Sequence, residues 1–147
     1  MKLSLDETWH YCLEMWKSIA KKAPRRGYSL DEPFDSIEDA KENWLRENGF
    51  NPACIASQCF FCDYISRYGR PSCSNCPGKE IDSKFDCRDG RYCYYKFPAK
   101  FYAKLVELNE IRLKFEHAKF VINRYIINPN RSETDMETIA DSSSIIT

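Results

Sequence analysis

Seven of the eight cysteines in this 147-residue chain fall between residues 51 and 97, and four of them form two C-x2-C pairs, Cys59-Phe60-Phe61-Cys62 and Cys73-Ser74-Asn75-Cys76. Across the same segment the apolar periodicity that marks helices and strands disappears, apart from a short helical piece near residues 60–68. A long stretch with little regular structure buries too little apolar surface to stay ordered alone, so a cross-link is expected. The cysteines supply it.

Ten residues separate the two pairs. Each C-x2-C can fold into a knuckle that turns two thiolates toward one ion, and two knuckles complete the tetrahedral four-sulfur shell that zinc favours. Pro77-Gly78 suits a knuckle turn, in which backbone N–H groups donate to the sulfurs. We therefore expect one structural zinc held by Cys59, Cys62, Cys73 and Cys76. Cys87 lies near enough in sequence for a second shell of Cys62, Cys73, Cys76 and Cys87, and both sets stand at this stage. Cys12, on the first expected helix, reads as a small buried hydrophobe. Neither His10 nor His117 is assigned as a ligand. A closed thiolate shell leaves no open position for water or substrate, so the metal is structural.

The remainder of the chain reads as helix. Ser4 stands three residues before Glu7, a capping-box spacing, and Trp9, Leu13, Trp16 and Ala20 follow at helical intervals, which predicts a helix over 5–22. Pro24 and Gly27 end it, and the basic cluster Lys21, Lys22, Arg25 and Arg26 complements the negative end of its dipole. A second helix is expected over 36–47, capped by Asp35 or Ser36 and stopped at Asn48-Gly49. The third begins at Pro98, tolerated in a first turn, and runs to about residue 127. Along it Phe101, Leu108, Ile111, Phe115, Ala118, Ile122 and Tyr125 form a coiled-coil-like seam. Val106, Leu113, Phe120 and Val121 lie off that seam and are the expected partner-binding surface, because one small core does not need both rows. The fold class is thus mainly α: three helices, with a loop-rich zinc-knuckle segment over 51–97 inserted before a long C-terminal helix. We expect one domain over 1–127 and a polar, acidic tail over 128–147, with a short helix at 134–140.

Charge narrows the function. Twenty-two basic residues balance 22 acidic ones, whereas phosphate binding favours a basic chain. In the cysteine segment Arg67, Arg70, Lys79, Lys84, Arg88, Arg91 and Lys96 alternate with Tyr64, Tyr68, Tyr92, Tyr94 and Tyr95, a pattern able to stack and neutralise a single strand. Five acids in the same segment leave it only +2, since seven bases minus five acids is two. Nucleic-acid binding is accordingly the alternative, weak and salt-sensitive. No phosphate loop, His-Glu-x-x-His or deaminase motif is present, so no enzymatic activity is expected. The N-terminal residues lack the apolar core of a secretory signal and nothing approaches the roughly 18 apolar residues of a membrane span. A cytoplasmic protein with reduced thiols follows, with no membrane partner.

Several blocks carry a resemblance. The Trp9 to Trp16 helix, Trp44-Leu45, Cys59-Phe60-Phe61-Cys62-Asp63-Tyr64, Cys73-Ser74-Asn75-Cys76-Pro77-Gly78 and Tyr94-Tyr95 resemble small cysteine-rich accessory proteins of tailed bacteriophages, over most of the chain to about Leu113. The resemblance implies an accessory protein acting in the host cytoplasm, and it brings no catalytic residues. With the closed metal site and the surplus apolar rows, the expected function is a zinc-stabilised interaction module that binds and modulates a host protein. Its partner surface, on the long helix, would take a foreign protein or a second copy.

Overall fold

The computed structural model describes residues 2–32, 34 and 36–127, the last three by backbone alone. The tail from residue 128, with the short helix expected at 134–140, lies outside them. Among the described residues the protein is mainly α, without a β-strand beyond an isolated bridge between Ser29 and Ser36. Five α-helices follow in order: α1 Leu5–Lys22, α2 Ile37–Glu47, α3 Phe60–Arg67, α4 Pro77–Ile81 and α5 Pro98–Ile127. Three single turns of 3-10 helix, Pro52–Cys54, Ala56–Gln58 and Cys73–Asn75, interrupt the cysteine segment. No described helix is long and apolar enough to cross a membrane.

Packing divides the chain into a unit ending at Leu108 and a second beginning at Asn109, although α5 is continuous across the boundary. Within the first unit α1 begins as expected. The Glu7 amide donates to the Ser4 hydroxyl at 3.1 Å and the Ser4 amide to the Glu7 carboxylate at 3.0 Å. Its buried face, however, is Trp9, Cys12, Met15, Trp16 and Ile19, while Leu13 and Ala20 are only half-buried. The stripe is rotated from the expected one because it must meet elements on two sides. Trp9 packs edge-on to Phe61 of α3 at 4.7 Å, and Trp16 meets Phe101 of α5 at 4.9 Å.

α2 is capped by Ser36, whose hydroxyl accepts from the Asp39 amide, and ends at Gly49, whose φ of 82° is the left-handed conformation a helix stop favours. Ile37, Trp44 and Leu45 enter the core, and so does Lys41. A buried lysine needs partners. Lys41 finds them in Glu38, at 3.3 Å, and in the ring face of Tyr94, 5.4 Å from its ammonium.

The turn after α1 is clasped to the chain leading into α5. The Tyr28 amide donates to the Tyr95 carbonyl at 2.6 Å, and Gly27 lies so close to the Lys96 carbonyl that a Cβ there would collide with it. Phe101, Leu105 and Leu108 then bury the start of α5 in the first unit. The second unit, described through Arg124 with side chains, is the remainder of that helix.

Candidate metal centre

Both C-x2-C pairs sit at helix starts. Cys59 is the N-cap of α3 and Cys62 lies in its first turn; Cys73 opens a 3-10 turn that ends at Cys76, the N-cap of α4. At such positions backbone N–H groups without intrahelical partners favour a thiolate. No cap hydrogen bond closes onto either sulfur. The N–H groups of Phe61 and Cys62 nevertheless lie near enough to act on the Cys59 thiol, and those of Gly78 and Lys79 on Cys76. In each case the two donors follow the cysteine by two and three residues.

The thiols act on one another. Cys62 S–H donates to Cys59, which holds the Cys59 thiol low with further help from the N–H groups and the Lys41 ammonium, and pushes Cys62 high. Burial pushes Cys76 up to about 12, against the opposing pull of the Gly78 and Lys79 amides. A thiolate at Cys59 disfavours ionisation of Cys62, Cys76 and Cys87, and charge at Cys87 disfavours it at Cys62 and Cys76. Every pair among Cys59, Cys62, Cys76 and Cys87 therefore interacts. Cys73 reaches Cys87. Burial, then Cys59, Asp86 and Cys73, push Cys87 up to about 11. As a residue Cys87 is nonetheless open to solvent.

Ordinary packing explains why Cys87 arrives there. The Phe85 ring is buried against Gly78, where an added Cβ would meet it at 2.5 Å, and stacks on Tyr92 at 6.1 Å. Gly78 is two residues after Cys76, and Phe85 two before Cys87. One apolar contact thus anchors both. The other side of the site is braced by Asp63, buried to 5% exposure. Its carboxylate accepts from Arg67 Nε at 2.7 Å and from the Ala56 amide at 3.1 Å, while Arg67 also donates to the Cys54 carbonyl at 2.9 Å. These bonds tie residues 54–56 to α3 and fix the approach to Cys59. Ser57 and Gln58, with φ of 56° and 50°, take the strained left-handed conformation immediately before it.

The neighbouring thiols do not close into a shell: no group of three or more His, Cys, Asp or Glu side chains among the described residues is a metal-binding group. All eight cysteines are free. Cys12 is buried in α1, and burial, with charge at Cys59 and Cys76, raises it well above the ordinary thiol range. Cys93 is buried and Cys54 is exposed. His10 lies edge-on to Tyr11 and His117 beside Phe120.

Of the partner residues expected from sequence, Val106 is half-buried in the first unit. In the second, Leu113 and Phe120 are 42% and 51% exposed and Val121 is half-buried. Phe115 and Ile122, on the seam, are the most open, at 59% and 57%. Several members of the basic and aromatic series are otherwise engaged. Tyr92 is buried, Arg67 is bound to Asp63, and Arg91 pairs with Asp89 at 3.0 Å. The chain matches no family model, no curated protein and no solved structure.

Proposed function

We propose that this chain is a zinc-stabilised protein-interaction module. The observation that carries the proposal is that Cys59, Cys62 and Cys76, at the starts of α3 and α4, and Cys87, beyond α4, all interact, while backbone N–H groups pull two of the sulfurs toward the thiolate. Zinc displaces thiol protons and draws such sulfurs into a tetrahedron, so the final closure of the site is coupled to metal binding. Cys59, Cys62 and Cys76 are the common ligands. Cys73 is the fourth by sequence spacing, whereas the contact between Gly78 and Phe85 supports Cys87. A four-thiolate zinc orders the chain and supplies no catalytic position.

Function then falls to the surface, and the exposed apolar residues of α5 beyond Leu108 support a protein partner. A host protein as that partner rests on the resemblance to phage accessory proteins. Metal analysis of the full chain purified without chelator, repeated on Cys73→Ser and Cys87→Ser, tests the metal half. About one zinc per chain is expected, lost in only one of the two variants. Affinity capture from lysate with and without nuclease tests the other half. A captured protein that resists nuclease is the expected result, and capture abolished by nuclease would favour the nucleic-acid alternative.

A further inference from the structure

At about 100° per residue, Ile111, Phe115, Ala118 and Ile122 fall on one side of α5, spaced four, three and four apart. Leu113 and Phe120 fall on the opposite side. Phe120 is flanked by His117, at 6.4 Å, and by the Arg124 guanidinium, 5.2 Å from its ring. The first stripe is the wider and more open of the two. Past Leu108 the exposed charged groups at its edges are lysines, although Glu107 stands four residues before Ile111. Lys114 stands three residues after Ile111 and four before Ala118, and Lys119 four after Phe115 and three before Ile122; both are exposed. Glu110 and Glu116 are three or four residues from no member of the stripe. The ion pair of Lys119 with Glu116, 3.5 Å between two exposed groups, is weak and leaves the lysine available.

We propose that the stripe Ile111, Phe115, Ala118 and Ile122 docks an amphipathic helix of another protein, one whose apolar seam is flanked by acidic residues. The inference rests on the interaction function proposed above and names its partner by chemistry. In heptad terms Phe115 and Ile122 occupy a, Ile111 and Ala118 d, Glu107 and Lys114 g, and Arg112 and Lys119 e. A second copy fits poorly on that register. Parallel pairing sets Lys114 beside Lys119 of the second copy, and the one opposite-charge pairing that register offers, Glu107 with Arg112, is closed to it because Arg112 is buried. Glutamates at the partner's e and g positions turn the same positions into attractive pairs.

The test uses the zinc-loaded full chain and two synthetic four-heptad peptides with Leu at a and d, one carrying Glu and the other Lys at every e and g. Fluorescence anisotropy is expected to show the Glu peptide binding about tenfold more tightly, with the preference fading in high salt. Lys114→Glu with Lys119→Glu should reverse the order. Phe115→Ser and Ile122→Ser should abolish binding without moving the thermal melt, because both side chains are exposed. Absence of binding, equal binding of the two peptides, or a dimer in sedimentation that Phe115→Ser dissolves would each overturn the proposal. Metal content and capture from lysate are read separately, so failure here leaves the broader function standing or falling on its own result.

Discussion

Helix α1 and the cysteine segment lie against each other in one core, yet they are ordered by different means. α1 carries its instructions locally, in a capping box and a recurring apolar face that buries Trp9, Met15, Trp16 and Ile19. The segment from 51 to 97 has short helical turns, two non-glycine residues at positive φ and many exposed positions, and its buried hydrophobics Ile55, Phe60, Phe61, Ile65, Phe85, Tyr92 and Cys93 are spread along it without a helical period. On the proposed zinc reading the same core is reached by periodicity in α1 and by cross-linking in the segment, and only the second route depends on something outside the chain.

The largest expected effect separates the two routes directly. Chelation, or Cys62→Ser, should collapse amide-exchange protection across residues 51–97 first and furthest, because structural zinc binding in small domains is worth on the order of 10 kcal/mol. Protection retained there after metal removal would mean that packing alone orders the segment. Next in size is the contact that joins the regions. Trp9 is 1% exposed and meets Phe61 edge-on, so Trp9→Ala should cost about 3–5 kcal/mol by denaturant unfolding, with the zinc content of the folded fraction unchanged.

Asp63→Asn probes the brace beneath Cys59. It removes the charge from the bond to Arg67 while keeping the shape, and a loss of about 1–3 kcal/mol is expected, accompanied by faster zinc release. An unchanged release rate would show that residues 54–56 do not position the knuckle. The smallest effect belongs to α1. The Ser4 amide, then its hydroxyl, hold the Glu7 carboxyl below its ordinary value. Since the folded pKa is the lower one, that stabilisation is complete above the unfolded pKa and is lost as pH falls through the folded value. Ser4→Ala should therefore lower the melting temperature slightly at neutral pH, with the gap to the unmodified chain narrowing in acid.

How much of this was legible in the sequence follows the same division. The bounds of α1, the Ser36 cap and Gly49 stop of α2, and the start and end of α5 all agree with the expectation, because caps, stops and periodicity are local. The rotation of the α1 stripe toward Cys12, Met15 and Ile19 depends on two packing partners, which periodicity does not name. Burial of Lys41 was hidden because Tyr94, whose ring it meets, is remote in sequence. In the cysteine segment the pairs and the piece near 60–68 were legible, whereas α4 was too short to show a period. The approach of Cys87 depends on Phe85 packing over Gly78, a tertiary contact with no spacing signature. Along α5, one heptad pattern runs through both buried Leu108 and exposed Phe115, so the pattern specified helix and left its covering undetermined.

X-ray absorption at the zinc edge of the zinc-loaded full chain tests the central claim most directly. The account expects four sulfur neighbours at about 2.3 Å and no nitrogen or oxygen in the shell. A chain that takes up no zinc, or a shell containing nitrogen or oxygen with fewer than four sulfurs, would contradict it.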